Sequence, residues 1–376
     1  MKMPRIDTCL VVPSNRFESF EKFVKEWSNV GLFDMVTLIL IEDNPTKTFE
    51  IDESKFASFY HFSWEEIENN LNNAVSSSFT FQRNNENIIF SKCIPRRSDT
   101  IRSFGYYLAA SWGYDYIMTL DDDCYPMKDF EKLDLIHKSM LNDRTKWFNT
   151  LNNVRPRGVP YNNIGKSTNY INHGLWTGTI DYDAPQQLVN PVEEFFSYDN
   201  KTVPSGVYFP FCGMNVMWRK EVAILSYHLL MGHNYTGEKK YCFDRFGDIW
   251  SGIIAKRVCD IVGLNVSTGT PYINHSRASN PFINLKKEAN GIHVNESFWE
   301  FIDSIELSPE ELKRVYGYQE IKNKVFFVYK KIALEMKKFV QFQKEKNNID
   351  YSEYDSYFKE LSEAMVIWCQ MFAEIK

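Results

Sequence analysis

The sequence predicts an α/β fold built on a mostly parallel central sheet, and three observations carry that prediction. Apolar, β-branched runs alternate with amphipathic stretches: Ile6–Val12, then Phe17–Trp27, then Met35–Ile41. Strand, helix and strand at this spacing make a βαβ unit, whose crossover leaves the two strands parallel. A second helix–strand pair follows, with Ser98 or Asp99 capping a helix to about Trp112 and Tyr114–Leu120 as the strand. The strands also end in polar turns: Pro13-Ser14-Asn15-Arg16, Glu42-Asp43-Asn44-Pro45 and Asp121-Asp122-Asp123. Open α/β sheets bind ligands outside the carboxyl ends of their strands, so these turns mark one candidate edge.

Size and composition bound the rest. A chain of 376 residues holds one large domain, or one domain plus an appendage. Hydrophobic content of 44% and aromatic content of 16% fit a packed globular protein. A net charge of −6 gives no overall basic footprint for nucleic acid, so any phosphate it binds must meet local cations. The seven cysteines (Cys9, Cys93, Cys124, Cys212, Cys242, Cys259, Cys369) are scattered and never spaced as CxxC. That usage favours reduced thiols in a cytoplasmic protein over a disulfide framework or zinc site. No run of roughly 18 apolar residues occurs, so no membrane span is expected, and the first apolar run is too short for a signal peptide.

Taken in order, Ile6–Val12 is a buried strand stopped by Pro13, and Phe17–Trp27 turns Phe20, Phe23, Val24 and Trp27 to one side. Trp64–Leu71 is a short helix after Ser63, and the Asn-rich run 69–87 is mostly loop. In the helix to Trp112, Ile101, Phe104, Leu108 and Tyr107 face inward, with Arg96, Arg97 and Arg102 near its start. Cations there oppose the helix dipole but suit an anion; a solvated basic turn is the equal alternative. Residues 145–300 are rich in aromatics, Gly, Pro and Asn. They hold three features: the turn Arg155-Pro156-Arg157-Gly158-Val159-Pro160, the helix Ile249–Val258 behind Gly247-Asp248, and His275, which is structural or a ligand.

The tail differs. Ser308-Pro309-Glu310-Glu311 is a capping box with Pro at the first helical position. A Lys-rich helix runs on to about Lys346, and a second starts near Ser352 with Tyr354, Tyr357, Phe358, Leu361, Met365, Trp368, Phe372 and Ile375 on one apolar face. Residues 1–305 then form the main domain and 306–376 a helical hairpin, which packs on it or joins copies into a homo-oligomer.

Three adjacent carboxylates, Asp121, Asp122 and Asp123, repel one another unless a cation sits between them. On these residues alone a solvated acidic turn and a Mg²⁺ or Mn²⁺ site completed by substrate phosphates weigh the same. Their place at the ligand edge, with Pro13–Arg16 and Glu42-Asp43, tips the balance to a metal-diphosphate site.

Longer stretches carry a resemblance: Pro13–Arg16, Asn44–Thr48, Arg102–Gly105, Thr119–Cys124, Phe148–Leu151, His173–Trp176, Asp181–Pro185, Gln187–Val189, Phe211–Asn215, Gly269–Ser276 and Ala278–Glu288. In this order they resemble the reversibly glycosylated polypeptide family, the flavin-independent UDP-arabinopyranose mutases best known from plants. The resemblance covers about residues 6–293 and leaves the tail beyond about 305 outside.

It implies a GT-A-type nucleotide-sugar fold, a divalent metal (usually Mn²⁺, or Mg²⁺), interconversion of the pyranose and furanose forms of a UDP-sugar, and glycosylation of an arginine. Asp121 and Asp123 would hold the metal, with Asp122 supporting and His275 as a late ligand. Pro13, Arg16, Glu42 and Asp43 would contact the nucleoside, with Arg97, Asp99 and Arg102 nearby. His173, Trp176, Asn215 and Trp250 would face the sugar. Arg157 occupies the position of the glycosylated arginine, and Asp248 would take its proton. Two departures, Ile164 and Gly247, fall where the sugar is expected. The first strand ends without the GxGxxG of a flavin site, so no flavin is expected. Two rivals share these residues: a metal-dependent glycosyltransferase acting on itself or another acceptor, and an inactive nucleotide-sugar-binding partner subunit.

Overall fold

A computed structural model describes residues 6–77, 90–142, 144–147, 157–180, 182–189, 200–211, 213–276, 280–373 and 375. Phe148–Leu151, Arg155, Asp181, Cys212 and residues 277–279 lie outside the described residues. The strands are β1 (Thr8–Ser14), β2 (Thr37–Glu42), β3 (Phe59–Phe62), β4 (Tyr116–Leu120), β5 (Cys124–Pro126), β6 (Arg144–Thr145), β7 (Lys166–Ser167), β8 (Asn169–Gly178), β9 (Lys201–Val203), β10 (Asn215–Arg219) and β11 (Asn265–His275). The helices are α1 (Phe17–Asn29), α2 (Trp64–Ser77), α3 (Arg102–Ser111), α4 (Leu133–Asn142), α5 (Ala184–Val189), α6 (Gly247–Val262), α7 (Pro281–Ser304), α8 (Pro309–Gly317), α9 (Ile321–Glu335), α10 (Phe339–Phe342) and α11 (Asp355–Ala373).

Among the described residues one nine-stranded sheet runs β3-β2-β1-β4-β10-β8-β11-β5, with β9 beside β11. The β3-β2-β1-β4 half is parallel throughout, the strand order of a nucleotide-binding doubly wound sheet. Past β4 the sheet is mixed. β10 runs antiparallel to β4 and β8, whereas β8 and β11 are parallel. The expectation of a mostly parallel sheet therefore holds for the first half, whereas in the second β8 and β11 are the one parallel pair among the described strands.

Local chemistry explains the elements. On α1 the buried side chains are Phe20, Phe23, Val24 and Trp27, the stripe read from spacing. Ser98 accepts from Thr100 N and starts a short 3₁₀ turn that leads into α3, which buries Tyr106 where Tyr107 was expected. Gly105 lets α3 lie on β1; an added Cβ would stand 2.5 Å from Val11 Cγ1. Pro13 lies inside β1, paired with Ile41 and beyond the last residue matched to β4. α2 extends to Ser77, into the run expected to be loop.

The tail is more broken than expected. The capping box at Ser308 forms, but α8 ends at Gly317 and α9 starts afresh at Ile321. These helices and α11 pack on the main domain. One apolar cluster joins Cys9, Val11 and Ile117 to Trp250, Tyr329, Leu361 and Trp368. Trp368 stacks on Tyr227 at 5.0 Å and donates to Ile224 O at 2.8 Å. A second cluster fills the other face of the sheet with Leu10, Phe20, Phe23, Trp27 and Met118.

Candidate active-site cleft

Strand register assembles the site. The carboxyl ends of β2, β1 and β4 lie side by side, and Asn215 at the start of β10 is matched to Leu120, so Gly213 and Met214 reach the same edge. β11 ends beside β5, with His275 opposite Cys124, and Ser276 N donates to Asp123 O at 3.0 Å. Residues from these ends line a cleft of about 680 Å³.

The acidic triplet forms one end. Arg16, at the start of α1, pairs with Asp122 and reaches Asp123 Oδ2 at 3.2 Å. Ser14 Oγ also donates to Asp122, which is 2% exposed. Arg102 donates to Asp121 Oδ1 at 2.6 Å and to Gly213 O at 2.6 Å. Burial pushes the Asp122 and Asp123 carboxyls above the usual range, and the charge of Asp121 adds to it.

His275 supplies the test for a cation. Its Nδ1 lies 2.7 Å from Thr179 O, and its Nε2 stands 3.7 Å from Asp123 Oδ1. An imidazole anchored through Nδ1 on a carbonyl, with Nε2 turned to a carboxylate, is the usual arrangement of a metal-ligating histidine. Among the described residues no three His, Cys, Asp or Glu side chains converge as a ready-made cage. The donor set therefore fits a Mg²⁺ or Mn²⁺ that takes its remaining oxygens from a diphosphate and water, not one held by protein alone.

On the nucleoside side the expected residues divide. Arg97, φ 52°, and Asp99 line the cleft. Asp99 Oδ2 meets His228 Nδ1 at 2.9 Å. Asp43 sits beneath, accepting from Trp64 Nε1 at 2.7 Å and Arg97 N at 2.9 Å. Glu42 is a correction. It is fully buried and accepts from Thr48 N and Asn44 Nδ2, both at 2.8 Å, with His61 Nε2 at 2.7 Å, so it fixes the turn after β2 and does not face the cleft. Pro13 lies in β1, outside the lining.

The floor is aromatic. His173 packs edge-on against Trp176 and Phe209. Burial pulls its imidazole down to about 3, so it is neutral, and its Nε2 and Trp176 Nε1 are buried without a partner among the described residues. Two other expected sugar contacts lie elsewhere. Asn215 is fully buried; it accepts from His137 Nε2 at 2.9 Å and donates to Leu175 O at 2.9 Å and Pro271 O at 3.0 Å. Trp250 is fully buried too, stacked on Phe298 at 4.7 Å. Asp248 does line the cleft, but its carboxylate takes Gly213 N and Ile249 N, each at 2.9 Å. Arg157 sits on an exposed turn and is not part of the lining.

At the far end stand residues assigned no role from sequence: His233, Asp244, Arg245, Lys287 and Glu288. Lys287 and Glu288 fall inside one of the family-like stretches, but nothing in the spacing shows that α7 turns them toward the cleft.

The sequence model described as reversibly glycosylated polypeptide matches residues 7–376. UDP-arabinopyranose mutase 3 of Arabidopsis thaliana is 35% identical over 369 residues, covering 94% of this chain and 88% of that protein. UDP-arabinopyranose mutase 1 of the same plant is 32% identical over 354 residues, covering 90% and 85%. The probable UDP-arabinopyranose mutase 1 of Solanum tuberosum is 32% identical over 369 residues, covering 94% and 87%. These matches run through α8 to α11, so the tail belongs with the rest, contrary to the sequence expectation. Among solved structures, S. aureus TarS overlays with a TM-score of 0.36 at 10% identity, covering 98% of this chain and 55% of that one, too slight a likeness to bear on fold or function.

Proposed function

Since this chain belongs to the reversibly glycosylated polypeptide family, we propose that it is a nucleotide-sugar mutase that interconverts the pyranose and furanose forms of a UDP-sugar, UDP-arabinopyranose being the first substrate to test. The observation that carries this is the pairing of the cationic side chains Arg16 and Arg102 with Asp121–Asp123 at the open end of a parallel sheet, beside a floor of His173 and Trp176.

In this reading the diphosphate lies at the acidic end and the sugar over the aromatic floor. Asp121, Asp123 and His275 hold a divalent cation. When bound, that cation neutralises the diphosphate and makes it a better leaving group at C1. Arg16 keeps Asp122 and Asp123 in place, and Arg102 ties Asp121 to Gly213, so the carboxylates are positioned before substrate arrives. His173 and Trp176 line the floor beneath the sugar.

Arg157 as covalent carrier of C1 makes the harder demand. A guanidinium, one of the weakest acids among side chains, must lose its proton, and Asp248, its candidate acceptor, already takes two backbone N–H groups. Its exposed turn must also approach the cleft. Interconversion retained in Arg157→Ala, which leaves no nucleophile at this position, rules the covalent role out.

The test of the function itself is incubation with UDP-arabinopyranose and Mn²⁺, without acceptor, followed by chromatography. A UDP-furanose product is expected. Release of free sugar, or transfer only to an added acceptor, assigns the chain to the transferases. Binding without turnover assigns it to the inactive partner subunits.

A further inference from the structure

We propose that Asp244 moves the proton between the two oxygens that alternately close the sugar ring; this rests on the mutase reading above. Changing ring size breaks the bond from C1 to the ring oxygen, which must gain a proton. It forms a bond from C1 to another hydroxyl of the same sugar, which must lose one. The heteroatom that carries C1 lends the electron pair that expels the ring oxygen, and recovers it when the hydroxyl closes. One proton changes oxygen and nothing is oxidised or reduced. A single carboxyl that protonates the first oxygen and deprotonates the second completes the balance.

Elimination among the cleft's carboxylates points to Asp244. Asp121 is held by Arg102, Asp123 by Arg16, Asp99 by His228 and Glu288 by Arg245. Asp248 takes two backbone amides, and Asp183 accepts from Gln186 N at 2.9 Å. Asp244 differs. Among the described residues its carboxylate accepts from the backbone N–H of the next residue, Arg245, but no side chain lies within hydrogen-bond distance of it, and its ionic partner Lys287 stands off at 3.8 Å. Its side chain is 35% exposed, reachable from the cleft.

The backbone fixes this carboxylate. Arg245, the next residue, has φ 65°, a left-handed conformation that costs a non-glycine residue about 1 kcal/mol or more. Glu288 holds it there, accepting from Arg245 Nε at 2.8 Å and from Ala184 N at 2.7 Å. Gly232, at φ 60°, lies beside Asp244; a Cβ there would make an ordinary contact with the Asp244 carboxylate at 3.7 Å. Burial raises the acid's pKa, Lys287 and Arg245 oppose that, and Asp99 adds to it, so its protonated form is more available than that of a surface carboxylate.

The test separates the two bond changes. UDP-sugar labelled with ¹⁸O at the C1–diphosphate bridge scrambles its label when that bond breaks and re-forms, whether or not the ring changes. With Mn²⁺, Asp244→Asn is expected to keep label scrambling within a few-fold of the unaltered protein while ring interconversion falls about 10²–10⁴-fold, the usual range for a lost general acid–base. Asp244→Glu is expected to regain part of it. Interconversion unchanged in Asp244→Asn overturns the proposal, and so does a parallel loss of scrambling. Unaltered protein that scrambles label but makes no second ring form overturns the mutase reading instead.

Discussion

Acidification to pH 5 removes stability through two buried histidines, and one of them can be isolated. His137 is fully buried between Asn215 Oδ1 (2.9 Å from Nε2) and Asn172 Nδ2 (2.8 Å from Nδ1). The amide hydrogens of Asn215 are used on Leu175 O and Pro271 O, so its oxygen must face His137, which carries its proton on Nε2. A second proton on Nδ1 would point at the Asn172 amide. Burial accordingly lowers His137 from 6.5 to about 4. A histidine depressed in the folded state is protonated first in the unfolded chain, so stability is full above the unfolded value and falls as pH drops toward the folded one. From pH 7 to pH 5 that linkage removes about 2 kcal/mol for His137 alone. Burial raises Asp43 and Asp134, which titrate in the opposite sense, so the informative quantity is a difference between proteins. His137→Gln preserves a donor and an acceptor without the titration. Urea melts of both proteins at pH 7 and pH 5 should show the variant losing about 2 kcal/mol less on acidification. Equal losses would refute a neutral, doubly bonded His137.

His275→Ala should weaken Mn²⁺ binding in the presence of UDP by about 10–100-fold in calorimetry, with UDP affinity in chelator unchanged; equal affinity removes His275 from the metal site. Trp368→Ala should cost about 3–5 kcal/mol in urea melts, because it empties the contact between α11 and Tyr227; a loss near that of a surface substitution would show the tail to be dispensable. Gly174→Ala places a Cβ 2.6 Å from Pro271 O and against the Asn215 amide, and should cost about 1–3 kcal/mol or prevent folding; unchanged stability refutes the close approach of β8 and β11.

What the sequence showed, it showed where periodicity and a single face decide the outcome. α1 buries the residues its spacing names, α11 buries Tyr357, Phe358, Leu361, Met365 and Trp368 of its expected face while Phe372 is half-buried and Tyr354 and Ile375 fall outside the helix, and β1, β2 and β4 lie within two residues of their expected ends. The Asp triplet stood out because three adjacent charges need a reason. Polar residues whose direction depends on register did not read correctly. Glu42, Asn215 and Trp250 look like ligands in a motif, yet each points into the interior, a fact set by neighbouring strands and helices far along the chain. α7 was missed for a related reason. Its first half buries Asn284, Glu288 and Gly291 and exposes Phe282 and Ile283, so no apolar stripe announces it. Asp244 had no signal, since what marks it is the side-chain hydrogen bonds that its neighbouring carboxylates make and its own does not.

The continuity of the core from β1 to α11 bears on how the protein comes to be. Cys93 Sγ lies 3.6 Å from the Met371 sulfur across 278 positions of sequence, and Tyr357 bonds Leu230 O at 2.8 Å across 127. At synthesis rates of roughly 5–20 residues per second, the strands that carry Asp121–Asp123 wait many seconds, apolar face uncovered, for α11 to emerge. The helices that never touch substrate thus decide whether a newborn chain reaches a working cleft or an aggregate, and damage to them would register first as lost protein, not as altered chemistry.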